Sequence, residues 1–419
     1  MRSLGITAVL VAFGCLPTGA AAQTGSARRV SADVGFLAAD AREGRGVGTA
    51  GLDAAADYLA REFARIGLSQ PWEDGYFQAF TIDPTAPAAA HSNIGGAAVK
   101  NVVGVLPGRG PLAGQVVVLG AHYDHLGRGG GAMGSLDPDS VGVIHNGADD
   151  NASGTAALLE AARLLRGRLH GDRRTIVFVA FTAEEAGLIG SGWYTQHPLH
   201  PTDSTVAMIN FDMVGRLRDR RLLALGAATA PEFTPLLDSL NTKYVFDLHA
   251  SGDGWGRSDQ SSFYGEKIPV IHFFTDLHDQ YHRVTDDPET INAAGIAEVA
   301  TFAADLTTAL ATRPERPTYV SIPSPVIASG NRASLGTIPD MGSSPGGVRL
   351  SGVREGSPAG VAGIQGGDII IRIGDHVIKD LNDMQNALTS YKAGDVVTVV
   401  VRRGQEEKSF TVTLGGRSD

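Results

Sequence analysis

Four short apolar runs in this 419-residue chain lead into side chains that ligate metals. Gln115–Gly120 leads into His122 and Asp124, and Thr175–Phe181 into Glu184 and Glu185. Val206–Phe211 leads into Asp212, and Ile268–Phe274, after a short loop, into His282. A fifth group, Asp149-Asp150, opens a helical stretch from about Ala152 to Leu165. Imidazole and carboxylate together suit zinc, with cobalt or manganese as substitutes. A carboxylate can bridge two cations because each oxygen carries its own lone pairs. Two metals roughly 3.5–4 Å apart polarise a carbonyl and lower the pKa of a shared water, so no serine or cysteine nucleophile is needed. Of the adjacent Glu184 and Glu185, one can ligate while its neighbour stays free as general base and acid. Asp124, two residues from His122, could accept the other imidazole N–H and fix the tautomer.

Runs of this length and β-branched content predict buried parallel strands. In open α/β sheets, sites form outside the carboxyl ends of the strands, so groups far apart in sequence would converge. From Asn101 to Leu310 the pattern alternates strand, loop and helix, as in an α/β layer fold. Upstream, Leu52, Ala55, Ala56, Leu59, Phe63 and Ile66 mark one buried helix face, which Gly67 stops. The run Gly46–Gly51 has the G-x-G-x-x-G spacing of a dinucleotide fingerprint, but that motif needs a buried strand just before it. Here Asp40–Arg45 is polar and loop-like, so the glycines are read as a flexible lead-in to the helix. Arg313–Gly330 concentrates Pro314, Pro317, Pro323 and Pro325, a linker composition. Beyond it, Val348–Val353, Asp368–Ile373 and Val396–Val401 read as strands of a small β-rich unit, and Leu381, Met384 and Leu388 as one face of a short helix.

The chain is long enough for two domains, and its 43% hydrophobic and 19% charged content is ordinary for a globular protein. A formal net charge of −10 argues against nucleic acid and anionic membrane as main partners. Arg2, the apolar stretch Leu4–Leu16 and Ala20-Ala21-Ala22 together read as a secretory signal with Gln23 as mature start. A secreted or periplasmic location is therefore expected. Cys15, the sole cysteine, would serve a lipoprotein signal, but Ala12 stands where such signals usually carry Leu. With the signal removed no thiolate remains, so any metal must use His, Asp and Glu. No later apolar run reads as a membrane span.

The segments around these residues resemble the co-catalytic di-zinc aminopeptidase family, which includes bacterial leucyl aminopeptidase and glutamate carboxypeptidase. The matching stretches are Gly120–Gly127, Asn146–Gly154, Phe181–Leu188, Asn210–Gly215 and Tyr281–Asp286. The resemblance implies two zinc ions per chain. His122 and Asp212 would hold one, Glu185 and His282 the other, and Asp150 would bridge them. Glu184 would be the proton shuttle and Asp124 the orienter of His122. Where the family often has Ser-Asp-His ahead of the last strand, this chain has Ser258-Asp259-Gln260. The C-terminal unit resembles a bacterial periplasmic PDZ domain, through Gly356–Gly360, Ala362–Ile370 and Gly394–Val397. That implies capture of peptide or protein termini by strand addition, with Ser334-Leu335-Gly336 as the carboxylate-binding loop.

Each residue also has a plainer reading. Asp150 could cap a helix, although Asn151 or Ser153 would do so equally well. Glu184-Glu185 could be first-turn acid at a helix N-terminus. His278 competes with His282, which its neighbours Tyr281 and Thr285-Asp286 favour. The expected organisation is a signal (1–22) and a zinc-exopeptidase domain (23–312). A proline-rich linker (313–330) and a PDZ domain (331–416) follow. The first of these domains should be α/β, with a mixed, mostly parallel sheet flanked by helices. The expected activity is removal of N-terminal residues from peptides. A carboxypeptidase or a glutaminyl-cyclase-like relative on the same scaffold is an alternative. An inactive peptide-binding protein is another, but it predicts lost ligands, and none of the five is lost.

Overall fold

The computed structural model describes residues 18–84, 94–129, 134–137, 139–252, 254, 256, 258–322, 333–339, 346–353, 356–379 and 381–416. The signal reading, with Cys15, lies outside these residues except for its last five, which begin helix α1 (Thr18–Leu37). Helix α2 (Ala50–Ile66) starts where the sequence places it. Thr49 Oγ1 accepts the Leu52 N–H at 3.1 Å, and Gly67 ends the helix at φ 82°. Leu52, Ala55, Ala56, Leu59 and Phe63 are buried. Each large apolar side chain among them contributes roughly 1.5–3 kcal/mol.

The chain then alternates through β1 (Phe77–Thr81), β2 (Ala98–Leu106), β3 (Val116–His122), α3 (Gly154–Arg168), β4 (Thr175–Phe181) and α4 (Ile189–Gln196). It continues through β5 (Thr205–Phe211), β6 (Arg221–Leu225), α5 (Phe233–Tyr244), β7 (Asp247–Ser251), α6 (Gln260–Gly265), β8 (Val270–Phe274) and α7 (Ala293–Thr312). The strands form one sheet in the order β1-β2-β4-β3-β5-β8-β6-β7. Its centre, β4-β3-β5-β8, is parallel, while β2 and β6 join it antiparallel. All residues of these four central strands are buried, so the apolar runs carry no alternation visible in sequence. The pleat still sorts them: Val117, Leu119, Ala121, Ile176, Phe178 and Ala180 face α1, α3 and α7. Val116, Val118, Val177, Val179 and Phe181 face α4 and α6. Because β3 has β4 on one side and β5 on the other, chain winding reverses there. That reversal makes the carboxyl end of β3 a switch point.

By length and composition α7 could cross a membrane, although the sequence reading finds no later run long enough to do so. Here its Ile296, Val299, Phe302, Leu306 and Leu310 are buried in the core it shares with α1 and α3. After α7 the chain does not leave at once. The buried Arg174 donates to the carbonyls of Leu310, Arg313, Pro314 and Glu315. Glu232 accepts from the N–H and the hydroxyl of Thr318, and Tyr264 Oη bonds the backbone of Ile322. Residues 313–322, read as linker from their prolines, therefore run as a strap across the first domain. Residues 323–330 lie outside the described set.

The C-terminal unit runs β9 (Ala333–Ser334), β10 (Thr337–Pro339), β11 (Val348–Val353), α8 (Pro358–Ala362), β12 (Ile369–Ile373), β13 (His376–Val377), α9 (Leu381–Thr389), β14 (Val396–Arg403), β15 (Glu406–Thr413) and β16 (Gly415–Gly416). Its sheet order is β10-β11-β12-β14-β15, around a separate core of Leu335, Val348, Leu350, Ile370, Ile373, Met384, Val399 and Val412.

Candidate metal centre

Parallel register puts His122, the last residue of β3, opposite Phe181 of β4, and Asn210 of β5 opposite Gly120. The residues that follow these strands therefore meet. His122 Nε2 lies 3.3 Å from Asp150 Oδ1, 3.3 Å from Asp212 Oδ1 and 3.9 Å from Glu184 Oε2. His282 Nε2 lies 3.1 Å from Asp150 Oδ2 and 3.2 Å from Glu185 Oε2. Asp150 thus turns one oxygen to each histidine. Among the described residues, two groups are arranged to hold a metal ion: His122, Asp150 and Asp212, and His125, Asp150 and Glu185. They share Asp150.

The helix-cap reading of Asp150 gives way to its neighbour. Asn151 Oδ1 accepts the N–H of Gly154 at 2.9 Å, leaving the Asp150 carboxylate free. The backbone of this turn is held from behind, where Asp286 Oδ2 accepts the N–H groups of both Asp149 and Asp150. Asp286 is paired in turn with Arg216 at 3.1 Å. His278, the rival of His282, sits 3.0 Å from Asp149 Oδ2 and belongs to this supporting layer.

Asp124 requires a correction. The His122 Nδ1–H points to the main-chain oxygen of Asp124 at 3.2 Å, while the Asp124 carboxylate stays 3.8 Å away. That carboxylate instead accepts the N–H groups of Glu184 (3.0 Å) and Glu185 (3.3 Å). It fixes the glutamate turn rather than the imidazole, because the turn after β4 presents two unpaired donors that the carboxylate can satisfy. His282 is oriented by a carbonyl too. Its Nδ1–H donates to Gly134 O at 2.9 Å, which turns Nε2 toward Asp150 and Glu185. The segment carrying Gly134 is docked through Leu136 N to His282 O and an Asp137–Arg283 ion pair. Non-glycine residues with positive φ cluster here: Ala183 before the glutamates, Met213 after Asp212, and His282 itself. Such backbone strain persists where surrounding structure fixes it, commonly at functional sites.

His125 is the residue sequence reasoning missed. It is fully buried, with Nδ1 2.7 Å from Glu185 Oε1 and Nε2 lacking a partner. Its Nδ1–H therefore engages one oxygen of Glu185 and leaves the other facing His282. The signal was present in the run His122-Tyr123-Asp124-His125, of which the sequence reading gives roles only to His122 and Asp124.

The two adjacent glutamates have opposite proton affinities. Burial, reinforced by Glu185 and Asp212 against the pull of His122, holds Glu184 well above the usual carboxylate range. Burial and Asp150 also push Glu185 up, but His282 and His125 outweigh them and bring it to about 2. Burial lowers His122 and His282, and the surrounding acids more than reverse this. Beside the cluster, Asn210 Nδ2 donates to Ser258 Oγ (2.7 Å) and Gln260 Oε1 (3.1 Å). Gln260 thus replaces an imidazole with an acceptor for β5. Asp259 is fully buried with neither oxygen well hydrogen-bonded, and burial pushes it up to about 7.

Residues 101–307 match the profile of peptidase family M28, and residues 331–414 that of the PDZ domain. The first domain is an M28-family peptidase domain. The chain is similar to aminopeptidase YwaD of Bacillus subtilis, 29% identical over half of this chain and 43% of that protein. It is also similar to leucine aminopeptidase 1 of Trichophyton rubrum, 34% identical over 29% of this chain and 30% of that protein. The matches span less than half the length of these relatives. Among solved structures, the aminopeptidase LapA of Legionella pneumophila superposes with a TM-score of 0.55 at 21% identity. That superposition covers 70% of this chain and 75% of LapA. A zinc aminopeptidase from Bacillus subtilis gives 0.56 at 18% identity, over 69% of this chain and 95% of its own. At these identities the superpositions establish the fold of the first domain.

Proposed function

We propose that the protein is a secreted or periplasmic metallo-aminopeptidase that removes N-terminal residues from peptides. Its PDZ domain would take peptide or protein termini. The observation that carries the reading is the shared carboxylate: Asp150 offers one oxygen toward His122 and Asp212, the other toward His282 and Glu185. The donor set fits zinc, being imidazole and carboxylate only, buried, and pointed inward. His122 and Asp212 would hold one ion, Glu185 and His282 the other, with Asp150 between. Bound there, two cations supply Lewis-acid polarisation and a nucleophile at neutral pH. The chain supplies the rest. Glu184, neighbour of an anionic ligand yet itself proton-avid, accepts a proton from the attacking water at its carboxylate and returns it to the leaving amine. Asp124 keeps that carboxylate in place through the two N–H groups of the turn. His125 and the Gly134 carbonyl fix which oxygen of Glu185 and which nitrogen of His282 face the ions.

In the PDZ domain, β10 is an edge strand, paired among the described residues only with β11, and Ser334-Leu335-Gly336 precedes it. A terminal peptide would extend the sheet there.

Hydrolysis of aminoacyl anilides tests the reading. Activity should vanish with a chelator, return with zinc or cobalt, and be absent on N-acetylated substrates. Full turnover by protein shown metal-free by elemental analysis would refute it. Cleavage only from free C-termini would move it to a carboxypeptidase.

A further inference from the structure

Arg45 is fully buried, yet among the described residues it forms no salt bridge. Its guanidinium instead donates to four main-chain carbonyls. Nε reaches Tyr123 O at 2.8 Å, Nη1 reaches Leu37 O at 2.8 Å and Asn146 O at 2.7 Å, and Nη2 reaches Gly147 O at 2.8 Å. Two of the segments so tied carry the metal centre. Tyr123 lies between His122 and Asp124, and Gly147 is three residues before Asp150. The third is the end of α1. The backbone is bent to deliver the side chain, since Glu43, Gly44 and Arg45 all have positive φ (50°, 64° and 48°). Gly44 O accepts from Gly127 N and Arg45 O from His125 N, which locks the turn against the chain beyond β3. The position lies outside the 101–307 family match.

We propose that Arg45 is a positioning residue for the two-metal centre: one buried guanidinium sets the separation between the turn bearing His122 and the turn bearing Asp150. The inference rests on the metal reading above. A planar fork is what the task needs, because it can meet several carbonyls in fixed directions where an ammonium is a point charge. The position is also electrostatically apt: burial lowers the Arg45 pKa to about 10, while Asp124, Asp150, Asp286 and Glu185 hold it up. The side chain is cationic at any working pH.

Arg174 gives a built-in control. It too is fully buried and donates to carbonyls, but those of Leu310 at the end of α7 and of Arg313, Pro314 and Glu315 in the strap. Full-length protein is stripped with a chelator and titrated with cobalt(II), following stoichiometry, affinity and the visible d–d absorption, with circular dichroism as a check on folding. Wild type should take two cobalt ions; if it takes none, the metal reading itself fails. Arg45→Lys, which keeps the charge and loses the fork, should bind cobalt roughly 10–100-fold more weakly with an altered absorption band, as losses of supporting contacts do. Arg45→Met should be weaker still. Arg174→Lys should lower Tm without moving cobalt affinity. Wild-type affinity and spectrum in a folded Arg45→Lys would overturn the proposal. Equal loss of affinity in Arg174→Lys would do so too, since any buried arginine would then suffice. Failure of both Arg45 variants to fold would make the residue a fold determinant and overturn it as well.

Discussion

Glu184 and Glu185 show how one peptide step separates two chemistries. Desolvation beside acids raises the first, and two histidines lower the second. Glu184→Gln should therefore lose about 10²–10⁴-fold in kcat while keeping its metal, whereas Glu185→Gln should lose metal first. Turnover and elemental analysis on the same samples check this, and the opposite pattern would reverse the roles. His125→Ala frees the second oxygen of Glu185, so metal affinity should fall about 10–100-fold, read by chelator competition. Asp259 gives a pH signature. Its folded pKa, raised to about 7 by burial with Asp124 and Asp212 adding, exceeds the unfolded value near 4. Its favourable, protonated state is fully present below about pH 4 and is lost as pH rises through 7. Asp259→Asn should thus matter little at pH 4–5 and raise Tm at pH 8, by about 2–4 °C for each kcal/mol relieved. A Tm difference independent of pH would show that Asp259 is already neutral or already paired.

Elements bring these residues together, and sequence revealed the elements unevenly. The central strands and α2 were legible because apolar run length and helical spacing survive in one dimension. The candidate ligands His122, Glu185 and Asp212 stand at or just past strand ends, while Asp150 opens a helix and His282 follows a loop. What stayed hidden depends on backbone groups. Asp124 chooses the N–H groups of the Glu184–Glu185 turn, His282 chooses the Gly134 carbonyl, and Arg45 satisfies a buried charge with carbonyls. None of these partners has a side-chain letter to read. The Asp40–Arg45 segment looked like a polar loop for that reason, although its last residue is among the most buried. The same loop yields a paired prediction. A Cβ on Gly44 would fall 2.3 Å from Gly127 O, whereas one on Gly48 meets nothing within 4 Å, and both residues have positive φ. Gly44→Ala should cost about 2–3 kcal/mol in urea melts and Gly48→Ala about 1 kcal/mol. Equal costs would mean that the loop yields freely.

Across the whole molecule, the strap shifts the working boundary of the first domain. A chain ending at Ile322 should fold and hydrolyse a small anilide like the full protein. One ending at Thr312 removes three of the carbonyls that Arg174 holds, leaving buried donors unpaired at about 1–3 kcal/mol each. Indistinguishable melting of the two truncations would show that the strap contributes nothing. The strap also shortens the leash. Its last anchor among the described residues is Ile322 at Tyr264, and β9 begins at Ala333, so residues 323–332 lie between. Even fully extended, ten residues reach at most about 35 Å. A terminus taken by the PDZ domain, as proposed above, would then stay within that reach of the Ile322 anchor, at an effective concentration on the order of millimolar. The same tether sets a ruler: peptides too short to bridge the two sites gain nothing from capture. The enzyme's preference should therefore rise with substrate length and then level off.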